Sequence, residues 1–435
     1  MTLLAILATL PVPRDLPLPL PLPAVVLKTL LVLFFLVHIL FVNLTVGASV
    51  LVTLFEFRGL REKRYDALAL GLAKTVTVNK SLAVVMGIGP LLCINLVYTL
   101  QWYGANALTG HAWLLIIPLV TAAFLLTYLH KYLWEKWSTG GRKKLHLAVG
   151  AAATLLFLCI PFIFLANVNL MLFPGEWEKV RGFFSSLEVG NVFPRYLHFL
   201  LASVALSGLF GAWWFWRESA AVEGFTRQEL RRKFYGVTAS ATLCQFAAGP
   251  LLLFTLPAVG MSGRLYAIIL PSAALGLCVL VLLVRKWRGS DEGLAYEHGL
   301  LWVLFSVVVL GMGSGRHAYR EAALATQTAA IRERSAEYEA ALADFNRKHL
   351  NDAPQETPEQ LFATCGACHA VDHRLVGPPL QEIARIYAGN PEGIVTWAKA
   401  PGKKRPDYPQ MPPFAHLGEE KLRAIAGYVL EAGSK

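Results

Sequence analysis

The sequence predicts an all-α protein: a polytopic bundle of about eight membrane helices followed by a small all-α domain. Three observations carry that prediction. Hydrophobic residues make up 55% of the chain against 16% charged, with a mean hydropathy of +0.49, outside the range of chains that fold in water. Apolar runs of roughly 18 residues or more, long enough to cross a hydrocarbon core, recur through the first three quarters. The last quarter changes character: it carries "TCGACHA" (Thr364 to Ala370) and closes on "EEKLRAIAGYVLEAG", an amphipathic helix.

In chain order, residues 1–24 form a Pro-rich arm, "MTLLAILATLPVPRDLPLPLPLP" and one residue more. It has no leading positive charge and no small-x-small cleavage site, and its six prolines favour an extended conformation, so it is expected to stay on the chain as an external arm. The membrane-spanning helical domain is expected over 25–316. Its spans fall at about 27–55, 78–101, 112–132, 146–170, 192–216, 233–257, 264–285 and 298–314. Cys93, Cys159, Cys244 and Cys278 all lie inside these spans and read as small buried hydrophobes.

The loops give an orientation. "EFRGLREKRYD", "KYLWEKWSTGGRKK", "WRESAAVEGFTRQELRRK" and "RKWRGSDEG" follow the odd-numbered spans and hold nearly all the basic loop residues, which makes them cytoplasmic. "YGANALTG" and "LPAVGMSG" carry almost no positive charge and are external. An even span count then puts both termini outside, as expected of a multi-pass protein of the bacterial inner membrane with its N-terminus and C-terminal domain on the periplasmic side. The net charge of +11 is accounted for mostly by these loops, and no nucleic-acid partner is called for.

Residues 317–355 form an amphipathic helical linker, with Leu324, Ile331, Tyr338, Leu342 and Phe345 on one stripe. The final domain, 356–435, contains the most specific signal in the chain. Cys365, Cys368 and His369 make the C-x-x-C-H pattern of covalent haem attachment. Zinc is disfavoured, because adjacent Cys368 and His369 cannot readily share one tetrahedral ion with His373 and no second Cys pair follows. "GPPL" (Gly377 to Leu380), "YPQMPPF" (Tyr408 to Phe414) and the closing helix complete a segment that resembles a class I cytochrome c. The resemblance implies one covalent haem c on Cys365 and Cys368, with His369 as proximal ligand, Pro378 offering a carbonyl to its imidazole, and Met411 as the distal sulfur. A Met/His pair raises the haem potential. His373 and His416 are expected at the surface. "APGKKRP" sets Lys403, Lys404 and Arg405 before Met411, a loop that can steer acidic partners.

Ionisable groups inside a span are expensive and mark function. His38 lies well inside the first span and His198 in the external third of the fifth; His111 and His317 sit at external ends. His130, His146 and His298 fall at cytoplasmic ends and read as solvated interfacial residues.

"VHILFVNLTVGASVLV" from Val37 resembles the first span of subunit I of the cytochrome bd quinol oxidases, where a histidine before such a string holds haem. "FLANVNLMLFPGEW" is similar to the end of that family's fourth span, "FPRYLHFLLASVALSGLFGAWW" to its fifth, and "GSGRHAYR" to its "GRQPW" segment. The resemblance implies His38 and His198 as ligands of one or more b-type haems and Arg316 as a partner for a haem propionate, with haem d not expected. It also implies membrane lipid and a bd-like second subunit as partners. The departures bear on chemistry. "WLLIIPLVTAAFLLTYL" lacks the two glutamates of the family's third span, the carboxylate ligand before "GRQPW" is gone, and the quinol loop is reduced to "TLPAVGMSG". No clear counterpart exists for the methionine that pairs with the fifth-span histidine, for which Met261, Met312 or His317 are substitutes. The expected function is electron transfer between b-type haem in the membrane and the attached cytochrome c, and through it an external redox protein or other cytochrome. The alternatives are an oxygen reductase fed by that cytochrome c, and an anchored cytochrome c with no membrane haem.

Overall fold

A computed structural model of the chain describes residues 20–138, 141–289, 295–349 and 356–435; most of the expected Pro-rich arm lies outside them. Among the described residues the regular structure is helical, with no strand. Packing divides the chain into two units that meet in sequence at Tyr338 and Glu339.

In the first unit eight helices are long and apolar enough to cross a membrane, as the hydropathy predicts. They are α1 (Ala24–Gly59), α2 (Lys63–Val97), α4 (His111–Ser138), α5 (Lys143–Met171), α6 (Val192–Trp214), α7 (Arg227–Phe254), α8 (Gly263–Arg288) and α9 (Ala295–Ala323); the short α3 (Thr99–Thr109) follows α2. The largest departure from expectation is α2, which begins at Lys63 instead of near residue 78. Lys63, Arg64, Asp66 and Lys74 dilute its hydropathy. Tyr65, Leu68, Ala69, Leu72 and Val76 nevertheless recur on one helical face, and all are buried. That face secures an extra turn-by-turn contact with α1 that a hydropathy window does not register.

Helix α1 is the hub, packing on α2, α5 and α6, while α4 pairs with α5, α6 with α7, and α8 with both α7 and α9. Small residues allow the closest approach. A methyl on Gly47 would collide with the Ser203 carbonyl and the Ser207 hydroxyl, so only glycine lets α1 cross α6 here. At the end of the bundle that carries the basic loops, Phe234 stacks on Phe215 with centroids 5.3 Å apart and meets Phe55 edge-on at 5.9 Å. Helix α7 starts there on a capping box, Thr226 with Glu229. Pro90 of α2 and Pro161 of α5 each delete a backbone N–H inside a span, and both line the internal cavity described below.

Helix α9 stops at Ala323 and α10 (Ala325–His349) follows after Leu324, which is buried. Along α10, Ile331, Tyr338, Leu342 and Phe345 are half-buried on the expected stripe while most of their neighbours are exposed. In the C-terminal unit, α11 (Pro358–Gly366), α12 (Leu380–Ile386) and α13 (Pro391–Lys399) each pack on α14 (Glu419–Gly433). Leu422, Ile425, Ala426 and Val429 supply the buried face of α14, at helical spacing. A capping box between Thr357 and Gln360 opens α11 and sets the frame for the Cys365 to His369 turn.

Candidate functional site

The bundle forms a partly open cavity of about 300 Å³, within the range of cofactor sites, walled mostly by apolar side chains of α1, α2, α4, α5 and α9. His38 projects into it from α1. Its Nδ1 lies 2.8 Å from the Ala83 carbonyl oxygen of α2. A carbonyl only accepts, so Nδ1 carries the proton and Nε2 keeps its lone pair, the state an imidazole needs to bind iron. Gly87, one helical turn beyond Ala83, makes room: a methyl there would sit 2.9 Å from the imidazole Cε1.

Arg316, His317 and Arg320 of α9 line the same cavity. The Arg316 guanidinium lies 4.4 Å from the Phe35 ring centroid, and Arg320 Nη2 is 2.9 Å from His317 Nδ1. Among the described residues no carboxylate pairs with Arg316 or Arg320, and Arg320 Nε is buried without a partner. Cations so placed fit an anionic group, such as the propionates of a haem whose iron meets His38.

His198 of α6 does not line this cavity. Its Nδ1 is buried without a hydrogen-bond partner, and so is Nε of Arg195, one turn away. On the facing helix α7 stands Gly249, where an added methyl would touch only His198, at 3.8 Å. An orphaned imidazole nitrogen beside a guanidinium whose Nη2 reaches Asn191 Oδ1 at 3.4 Å but whose Nε has no partner, with a glycine gap opposite, fits a second flat anionic cofactor between α6 and α7. His317, a proposed substitute partner for His198, belongs to the cavity of His38 instead.

In the C-terminal domain the same arrangement recurs. His369 Nδ1 lies 2.8 Å from the Pro378 carbonyl oxygen, leaving Nε2 unprotonated. Gly377 permits it, since a methyl there would stand 2.8 Å from His369 Nδ1. The turn is held by Cys368 N–H and His369 N–H, both 3.0 Å from the Cys365 carbonyl oxygen. Cys365 packs against the Leu380, Ile425 and Val429 cluster, and burial, aided by neighbouring Cys368, pushes its thiol up from the ordinary value. Met411 packs beside Val395, Leu422 and Ala426. These positions fit a haem attached through two thioethers. His373 and His416 are exposed, as expected. The basic loop is different from the expectation: Arg405 is ion-paired with Glu382 and with Asp407, and Lys404 lies over Trp397, so of the three only Lys403 has no such contact described.

Three charged groups inside spans escaped the sequence reading. Lys80, fully buried, lines the cavity, donates to the Phe124 carbonyl oxygen at 3.3 Å and lies 3.4 Å from the Tyr128 ring centroid. Glu56 is fully buried between His130 and His146, which are 5% and 0% exposed and therefore not the solvated interfacial residues expected. Arg195 completes the set. The rule that flagged the histidines, an ionisable side chain within an apolar run, flags Lys80 and Arg195; Glu56 escapes it because it opens the basic loop string that follows the first expected span. His298 is half-buried and engaged by Tyr235 and Trp302.

A family model described as Cytochrome c matches residues 356–433. Cytochrome c-551 of Azotobacter vinelandii is 35% identical over 80 residues, spanning 17% of this chain and 96% of that protein. Among solved structures, the bd oxidase from Geobacillus thermodenitrificans matches with a TM-score of 0.50 and 12% identity over 75% of this chain and 99% of its own, a likeness of fold. The chain thus joins a bd-oxidase-like membrane helix bundle to a haem c domain, in a multi-pass membrane protein of electron transfer. Through residues 356–433 the chain belongs to the cytochrome c family.

Proposed function

We propose that the chain carries one or more b-type haems in its membrane bundle and passes electrons between them and the haem c held by Cys365, Cys368, His369 and Met411. An external redox protein or another cytochrome exchanges electrons with haem c. The observation that carries this reading is the cavity lined by His38, its Nδ1 fixed on the Ala83 carbonyl, and by the guanidiniums of Arg316 and Arg320, which no carboxylate among the described residues neutralises. Haem supplies one-electron chemistry there. The chain's own residues orient the ligand, neutralise the propionates and exclude water. His198 with Arg195 supports a second haem between α6 and α7. The distribution of basic loops supports an inner-membrane placement with the cytochrome c domain in the periplasm. Exposed apolar residues on the spans, among them Ile117, Leu125 and Phe254, suit lipid and a bd-like second subunit.

One observation favours oxygen reduction fed by the cytochrome c as a second reading. Lys80 and Thr45, both buried, reach the cavity, so polar groups stand where protons would be needed. Redox titration of the natively purified chain separates the outcomes. Distinct b and c components without cyanide-sensitive oxygen uptake support electron transfer; fast cyanide-sensitive uptake supports the reductase; a c component alone leaves an anchored cytochrome c.

A further inference from the structure

At the basic-loop end of the bundle, Glu56 of α1 lies between two histidines. Its Oε2 is 2.7 Å from His130 Nε2 of α4, and its Oε1 is 2.5 Å from His146 Nδ1 of α5. The other nitrogen of His146, Nε2, lies 2.8 Å from the His130 carbonyl oxygen and must donate to it. A neutral His146 would then turn a lone pair toward the carboxylate at 2.5 Å, which is repulsive. The contact therefore holds an extra proton, on the imidazole or on the carboxyl.

The surrounding charges agree. The charged groups packed on the pair are Lys143, whose Nζ is 2.8 Å from Glu56 Oε1, and Asp66, which pairs with Lys143. Two carboxylates and one ammonium leave one negative charge, and one proton cancels it. The donor atoms of Glu56, His130 and His146 lie within 4.8 Å of one another, as a metal site requires, but the Lys143 ammonium already occupies the carboxylate a divalent ion would use. Solvent reaches the site at Lys143 and Asp66. The Lys143 and Asp66 side chains are 15% and 21% exposed, whereas those of Glu56 and His146 are fully buried.

From His130 the polar groups continue inward. A small cavity of about 20 Å³, room for roughly one water molecule, is lined by His130, Ser49, Thr127 and Thr154. Thr154 Oγ1 is 2.8 Å from Thr53 Oγ1 and 3.1 Å from the Ser49 carbonyl oxygen, and Ser49 Oγ is 2.7 Å from the Thr45 carbonyl oxygen. Thr45, Ser49, Thr53 and Glu56 thus form one stripe of α1, about 16 Å long at 1.5 Å per residue, and Thr45 lines the large cavity, as does Lys80.

We propose that Glu56, His130 and His146 form a proton-holding site from which Ser49 and Thr154, with a water in the small cavity, lead a proton to the large cavity. This rests on the cavity being the redox site of the proposed function. No bond to carbon changes: a proton leaves the Glu56–His146 pair through His130 to the water of the small cavity. The Ser49 and Thr154 hydroxyls donate to backbone carbonyls, which cannot pass a proton on, so water hydrogen-bonded to those hydroxyls carries it to Thr45 and the large cavity to balance an arriving electron, and it is replaced from solvent past Lys143 and Asp66.

The test uses the full chain in liposomes, reduced at an electrode through a mediator that carries electrons without protons, with haem absorbance and a pH dye followed together and acid-extractable haem measured on the same sample. In the wild type, proton uptake accompanies reduction of the extractable haem. Thr154→Val, close to isosteric, leaves haem content and electron arrival unchanged and slows uptake at least tenfold; Glu56→Gln abolishes it. Uptake identical in all three proteins overturns the proposal, as does one equivalent of bound metal that is lost in His146→Gln. Extractable haem present without wild-type uptake overturns the proton route alone, whereas no extractable haem overturns the membrane-haem reading and the route with it.

Discussion

Gly87→Ala probes the His38 site without touching a ligand. The new methyl would stand 2.9 Å from Cε1 and 3.1 Å from Nδ1 of His38, against an ordinary carbon contact of about 3.5–4.0 Å. The imidazole must retreat by roughly 0.6–1 Å. Its bond to the Ala83 carbonyl, 2.8 Å long, then stretches beyond useful hydrogen-bond length. Losing the partner that orients a ligating histidine costs about 10–100-fold in affinity, which corresponds to about 1.4–2.8 kcal/mol. The assay is acid-extractable haem per chain by pyridine haemochrome, followed by titration of the stripped protein with haemin. Covalent haem c serves as the internal standard for folded protein. Gly299→Ala is the control, since nothing lies within 4 Å of a methyl at that exposed position of α9. If Gly87→Ala binds extractable haem as tightly as Gly299→Ala does, His38 is not a ligand and the cavity argument fails.

Three further outcomes follow from the C-terminal domain. Replacing Cys365 and Cys368 together by Ala removes all haem that survives acid acetone and the haem stain on a denaturing gel; any acid-stable haem left on full-length chain contradicts the attachment. Met411→Ala lowers the reduction potential of haem c, measured by spectroelectrochemistry, because a Met/His pair holds it high; an unchanged potential removes Met411 as the distal ligand. Hydrogen bonding from Arg405 holds the Asp407 carboxyl below the usual carboxylate value. Such a group contributes stability above its unfolded pKa of about 4, and that contribution is lost as pH falls through the folded value. Arg405→Gln therefore lowers the stability of the domain above about pH 4, modestly because the pair is exposed, and the difference vanishes at low pH; acid unfolding, followed by the haem c Soret band, begins at higher pH.

The haem c site was legible because its chemistry is local. Three residues separate Cys365 from His369, and Pro378 follows in the same loop, so the carbonyl that receives His369 Nδ1 is implied by the string itself. His38 was legible as an ionisable group in an apolar run, but its acceptor Ala83 is on another helix, 45 residues away, and no spacing announces it. The same distance hid the Glu56 site. Its members come from α1, α4 and α5, and each histidine, seen alone at a helix end, looks like a solvated group. Charge counting misled at both ends of the chain: Arg405 counts as a free cation until Glu382 and Asp407 fold onto it, and Lys63 to Lys74 count against a span until their buried face is seen packed on α1.

The decisive question is whether the membrane bundle holds haem on His38 in addition to the covalent haem c of the C-terminal domain. Acid-acetone extraction of the natively purified chain, with the two fractions quantified by pyridine haemochrome, tests it directly in wild type and in His38→Ala. The account predicts one retained haem c per chain in both proteins, extractable haem b in the wild type, and a selective loss of that haem b in His38→Ala. Wild-type chain with no extractable haem, or His38→Ala with an undiminished amount, would contradict it.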